Sequence, residues 1–261
     1  EYSTSFLSAL RGKDRLGASI QTSDIDQDGM ISLAEAHCHA IETSPTIDLC
    51  YRTSDRFLQT QSRLDASDDN LVSEMAPLAD LLKMADPFRE HSLKRLVEEL
   101  SLPAEETMKE ATRRSKELSS QRRRLRPSMN KADNEVNEFA RKMESALLDR
   151  WPFLESGWHP QTHALLAHHP EQVVEMIEKH EVYESWIQAR KREAELAEDD
   201  LNKERQWAKY QRVLLLAKSI ARAENLRREG PVEKWDAYQR LLSMENASLR
   251  SRANAATVQG N

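Results

Sequence analysis

The chain has 261 residues, of which 39% are hydrophobic and 31% charged, with six glycines and nine prolines. That is long enough to bury a core and too poor in turn formers for a strand-dense fold, so an all-α protein is expected. A formal net charge of -6 excludes the basic face of a general nucleic-acid binder, and the longest apolar patch, Val213 to Ala217, falls far short of the roughly 18 residues of a bilayer span.

The first apolar periodicity is Phe6, Leu7 and Leu10, after which Gly12 and Gly17 interrupt the pattern; the helix ahead of the following acidic segment must be short or irregular. Leu33, Ala36, His37, Ala40 and Ile41 then share a helical face until Pro45 stops it. Thr46 to Tyr51 reads as an extended connector, and from Ser54 to Lys83 two helices are expected around the polar stretch Asp65 to Asn70. Leu93, Leu96, Val97 and Leu100 predict a compact helix, and Pro103 opens a solvated one that should end near Arg126. A boundary at Pro127 to Lys131 would precede a further helix carrying Val136, Phe139, Met143 and Leu147.

Trp151 to Pro160 suits an anchored irregular linker. Beyond it come a short helix at Ala164 to Leu166 and a helix from Glu171 carrying Val173, Val174, Ile177 and Trp186, with charged helical sequence continuing to Arg228. Glu229-Gly230-Pro231 turns the chain into a last helix with Val232, Trp235, Tyr238, Leu241, Leu242 and Leu249, giving a long antiparallel C-terminal hairpin. The expected segments are therefore 1–52, 53–128, 129–250 and a frayed tail over 251–261 of an irregular helical assembly.

The most specific chemistry lies between the first two helices. Asp24, Asp26 and Asp28 stand at positions one, three and five of a twelve-residue stretch, Gly29 at six, Ile31 at eight and Glu35 at twelve. This is the pattern of an EF-hand calcium loop. Calcium is a hard ion that takes six to eight oxygens. Three carboxylates come from one wrapped turn, Met30 offers its backbone carbonyl, Ser32 acts through a water and Glu35 closes the shell with both oxygens. Ser32 and Glu35 also form the S-x-x-E pattern of a capping box, so the same glutamate serves either the ion or the helix end. A weaker repeat, Asp65, Ser67, Asp69 and Val72, has Asn70 in place of glycine and Ala76 at position twelve, and reads as a solvated helix break.

Residues Tyr2 to Leu58 resemble the region that follows the catalytic domain in bacterial caspase-like cysteine peptidases, through Ser5-Phe6-Leu7-Ser8-Ala9-Leu10, the loop continued as Ser32-Leu33-Ala34-Glu35-Ala36-His37, and Ile47-Asp48 with Thr53-Ser54-Asp55. The pair Arg150-Trp151-Pro152 and Trp158-His159-Pro160 is similar to the helical tail of those proteins. The resemblance implies a non-catalytic region of a larger peptidase, its partner an upstream peptidase domain or another protein, in an extracytoplasmic setting where calcium is plentiful. No Cys and His dyad maps onto the chain. The rival is a free-standing calcium-binding scaffold with a coiled-coil arm. Beginning at Glu1 rather than Met, the chain is expected to be a fragment or a processed product of a longer protein.

Other constellations have plainer readings. His159 and His163, with His168 and His169 beyond, could seat zinc but lack a third ligand at suitable spacing, so a polar helix surface is expected. Cys38 has no evident activating base, and Cys38 and Cys50 could pair. Arg122-Arg123-Arg124-Leu125-Arg126 suits a solvated helix end. Trp151, Phe153, Trp158, Trp186, Trp207 and Trp235 are expected to be packing anchors.

Overall fold

The computed structural model describes residues 1–22, 24–64, 68 and 70–247. The expected tail from Ser251, together with Leu249 and with Asp65, Ser67 and Asp69 of the weaker loop repeat, lies outside the described residues. The fold is all-α: the helices are α1 (Tyr2–Arg11), α2 (Leu33–Thr43), α3 (Thr53–Gln61), α4 (Leu78–Met84), α5 (Pro87–Glu99), α6 (Thr107–Arg150), α7 (Pro160–His168), α8 (Pro170–Glu178), α9 (Tyr183–Glu229) and α10 (Val232–Asn246). A 3₁₀ turn spans Pro152–Glu155. Among the described residues no helix is long and apolar enough to cross a membrane. The chain divides into two compact units, one from Glu1–Ser119 with Glu204–Asn261 and one from Ser120–Lys203.

In the first unit the expected stripes become the core. Leu93, Leu96 and Val97 of α5 meet Leu81 of α4, Met108, Ala111 and Leu118 of α6, and Val213, Leu216, Ala217 and Ile220 of α9. The α9 residues recur at intervals of three and four, so one face of that helix is apolar in this stretch although the helix as a whole is highly charged. Ala111 and Ala217 are fully buried within this cluster. Tyr238 and Leu242 of α10 share a second cluster with Leu58 of α3 and Leu226 of α9. The turn between α9 and α10 demands glycine, because a Cβ at Gly230 would lie 2.5 Å from the Leu226 carbonyl oxygen.

Beside this core sits a buried ionic network. The Arg89 side chain is 1% exposed. Its Nε and Nη2 donate to Asp55 Oδ1 at 3.1 and 2.5 Å, and its Nη1 donates to the Tyr238 hydroxyl at 2.8 Å and to Asp86 Oδ2. Arg52 lies 3.6 Å from Asp86, 3.7 Å from Asp55 and 3.9 Å from Glu245. Glu245 in turn accepts from the Ser54 amide at 2.8 Å and the Ser54 hydroxyl at 2.7 Å. One set of charges thereby joins α3, α5 and α10. Burial alone would push the Asp55 carboxyl up, but Arg89 and then Arg52 outweigh it and hold the group well below the usual carboxylate range; Asp86 is lowered by the same balance.

The second unit corrects two expected helix ends. The helix expected to stop near Arg126 runs through Pro127 to Arg150. Proline removes one hydrogen bond and crowds the preceding turn, costing about 3 kcal/mol. Ties on both sides offset that cost: Arg122 grips Asp200 with two bonds of 2.9 and 3.0 Å, Arg192 reaches Glu135 at 3.0 Å, and Ala132, Val136 and Ala189 are buried. Pairing 122 with 200 and 135 with 192 makes these stretches of α6 and α9 antiparallel. The arginine run is consequently mid-helix. The helix expected to run unbroken from Glu171 past Trp186 instead breaks after α8, where His180 Nδ1 accepts from the Val182 amide at 3.3 Å and gives the start of α9 a cap.

The network sets a pH dependence whose sign follows from the lowered carboxyls. The unfolded chain binds protons at Asp55 and Asp86 near pH 4, the folded chain only at lower pH, so their stabilisation is complete above about pH 4 and is lost as acid reaches the folded values. Denaturation of the parent should show stability falling below about pH 4, whereas Asp55→Asn should begin lower and fall less. Arg89→Met should cost roughly 3–5 kcal/mol at neutral pH, because the Asp55 and Asp86 carboxylates would then share Arg52 alone. An Arg89→Met variant as stable as the parent, or an acid limb unchanged in Asp55→Asn, would contradict this assignment.

Candidate metal site

The acidic loop is folded by its own side chains. Asp24 Oδ2 accepts from the Gly29 amide at 2.9 Å and its Oδ1 from the Asp28 amide at 3.2 Å, while Asp28 Oδ1 accepts from the Met30 amide at 2.8 Å. Asp26 Oδ1 takes the Asp28 amide at 3.3 Å. Gly29 turns the chain at φ 80°, where a side chain would be strained, and Gln27 also adopts a positive φ of 60°. The outcome is that one carboxylate oxygen each from Asp24, Asp26 and Asp28 lies within 4.8 Å of the others. Ligands about 2.4 Å from a common calcium ion stand at most about 4.8 Å apart, so the donor set fits a hard cation in size and in chemistry.

The cluster carries its own electrostatic cost. The Asp26 carboxyl is pushed up, first by partial loss of solvent and then by the charges of Glu35, Asp28 and Asp24, with the Asp28 amide acting against them. A cation between the carboxylates would relieve that repulsion.

Glu35 occupies a different role from its three partners. It is 1% exposed, its Oε1 accepts from the Ile25 amide at 2.6 Å and its Oε2 from the Ser32 amide at 2.8 Å. With Ser32 Oγ accepting the Glu35 amide at 3.2 Å, the capping box read from the sequence is complete at the start of α2. Glu35 thus ties the second residue of the loop to the ninth, and the three-aspartate cluster does not include it. Ser32 faces the helix end, buried as the N-cap. Met30 is half-buried and Ile31 likewise. Ile25 packs against Ala34, Cys38 and Phe88, which anchors the loop to α5.

The entering side is irregular, as its glycines imply. α1 ends at Gly12 with φ 65°, and Asp14 Oδ1 then collects the amides of Leu16 and Ala18 at 2.9 and 2.8 Å. α1 packs along α2 rather than leading into the loop, with the Tyr2 hydroxyl 2.7 Å from His37 Nδ1.

The remaining candidates are placed apart. His159 Nδ1 caps the Gln161 amide at 3.2 Å and its ring stacks on Phe153, and no other group of metal-binding side chains comes together among the described residues. Trp158 is no packing anchor: it is 90% exposed. Cys38 and Cys50 are free thiols. The Arg52 and Arg89 network was not anticipated from the sequence, although Arg89 lies four and seven residues before Leu93 and Leu96 and so falls on the apolar stripe of α5. No protein-family model, curated protein or solved structure matches the chain.

Cys38 is buried beneath the loop, where its Sγ donates to the Phe88 carbonyl oxygen at 3.5 Å, and burial pushes the thiol up to about 12. The native protein should therefore give one fast thiol with a water-soluble disulfide reagent, from the part-exposed Cys50, and a second only on unfolding. Equal rates at both cysteines, judged against Cys50→Ser, would contradict the buried placement.

Proposed function

We propose that the chain is a calcium-binding, non-catalytic helical region in which the ion acts as a structural staple at the start of α2. The observation that carries this reading is the convergence of Asp24, Asp26 and Asp28 within 4.8 Å in a loop whose ends Glu35 already ties together. Asp24, Asp26 and Asp28 would hold the ion directly, the Met30 carbonyl would join them, Ser32 would act through a water, and Glu35 would complete the shell by turning from the backbone amides to the ion. Calcium is favoured over softer metals because every donor is an oxygen.

A staple suits this loop better than a switch, since α1 lies along α2 instead of entering the loop as a lever. By the resemblance described above, the region would accompany a caspase-like peptidase domain, to which it lends a fixed helical surface. The buried Cys38 thiol, raised by its surroundings, suits packing and not nucleophilic attack. In an extracytoplasmic setting calcium would keep the loop filled.

A site of this kind should bind in roughly the 10⁻⁶ to 10⁻³ M range and, at a hundredfold excess over its dissociation constant, add about 2.7 kcal/mol of stability. Thermal melts of the parent with calcium and with a chelator should differ by several degrees, and Asp26→Asn with Asp28→Asn should remove the difference without lowering the melting point in chelator. These two aspartates are exposed and cap no helix, so the variant isolates the ion. A parent melt that ignores calcium, with no calorimetric heat at millimolar ion, would leave an acidic turn and no site.

A further inference from the structure

The second unit exposes apolar surface that its own fold does not use. Trp158 is 90% exposed, and Leu166 of α7 and Val174 of α8 are each 50% exposed. This is not a loose segment. Thr162 Oγ1 donates to the carbonyl oxygens of Phe153 and Ser156 at 2.8 and 3.0 Å, and His159 stacks on Phe153, so the turn presenting the indole is held on both sides. α8 is amphipathic, yet none of its residues is fully buried. Beside it Trp151 and Met176 line an open groove of about 580 Å³. An exposed tryptophan fixed by its neighbours has the features of an interface anchor, with a large apolar area and little side-chain entropy to lose.

The charge of the segment selects the occupant. Between Arg150 and Glu184 the sequence has six acidic residues, Glu155, Glu171, Glu175, Glu178, Glu181 and Glu184, against two cations, Arg150 and Lys179, which both line the groove. All six are exposed. Lys179 is already paired with Glu175. A segment that carries exposed apolar side chains together with a large excess of exposed glutamates repels anionic lipid and nucleic acid and attracts a surface of opposite sign. From this combination we infer that the α7–α8 segment is a docking surface for a basic amphipathic helix of a protein partner, which covers Trp158 with its apolar face and meets the glutamates with its lysines or arginines. The inference is independent of the calcium loop, which lies in the other unit.

The test uses the full chain and a fluorescein-labelled amphipathic peptide made of leucine and lysine, followed by anisotropy. Binding should weaken as salt is raised, and both Trp158→Ala and Val174→Asp should weaken it by about tenfold or more with helix content unchanged by circular dichroism. Neither side chain is needed for folding, since both are exposed. The proposal is overturned if the peptide does not bind, if the variants bind it as the parent does, or if a leucine and glutamate peptide binds equally well. It also fails if Trp158→Ala instead abolishes self-association in sedimentation, which would assign the surface to a second copy. Loss of binding to phosphatidylserine vesicles in that variant would assign the surface to lipid and overturn it too.

Discussion

Arg89 is the residue on which the first unit turns. A guanidinium 1% exposed costs far more to bury than any single hydrogen bond returns, and it is tolerable only because Asp55 of α3 and Tyr238 of α10 converge on it together with Asp86 at the start of its own helix. Those helices are 34 and 149 residues away in sequence at their points of contact. Apolar packing alone would allow α10 to slide on α3, since Leu58, Leu226, Tyr238 and Leu242 are a greasy patch without direction. Fixed donors and acceptors set the register: Ser54 must meet Glu245 and Tyr238 must reach Arg89. A hydrophobic replacement of the whole network could match its stability but not that directional specification.

The acidic loop leans on the same frame. Ile25 rests against Ala34, Cys38 and Phe88, and Phe88 precedes Arg89 on α5. Cys38 adds a bond to the Phe88 carbonyl oxygen. α2 therefore begins beside a rigid wall, and Glu35 finishes the arrangement by holding the Ile25 and Ser32 amides with its two oxygens. In the proposed calcium-bound form that carboxylate exchanges two amide partners for the ion, so the worth of the ion is the difference between the two sets of contacts and not the full coordination energy. The Ser32 amide is buried and the Ile25 amide partly so, and releasing them carries a cost that the ion must offset. A modest affinity is the physical consequence.

How much of this was legible in the residues depends on range. The grouping of Asp24, Asp26 and Asp28, the capping box of Ser32 and Glu35, the helix stops at Pro45 and Gly230, and the irregular entry after Gly12 are local signals, and the local geometry follows them. Pro127 misled because its penalty was weighed without the partner helix: Asp200 and Arg192 hold α6 together from some sixty to eighty residues away. His180 ended a helix that periodicity continued, since its cap on the Val182 amide competes with the next turn. Trp158 looked like an anchor by type, and only the fold shows that nothing within its unit receives it. The long-range ionic network left one trace, a charged residue on an apolar stripe at position 89, which is ambiguous until its partners are known.

Amide hydrogen exchange at single-residue resolution tests the staple most directly, because the two amides bound to Glu35 report its position. On adding calcium to the chelated protein, the α2 amides should gain protection, the Ile25 and Ser32 amides should change their rates as Glu35 moves to the ion, and the Ser54 amide held by Glu245 should stay as it was. Exchange at Ile25, Ser32 and α2 that is identical with and without calcium would contradict the account.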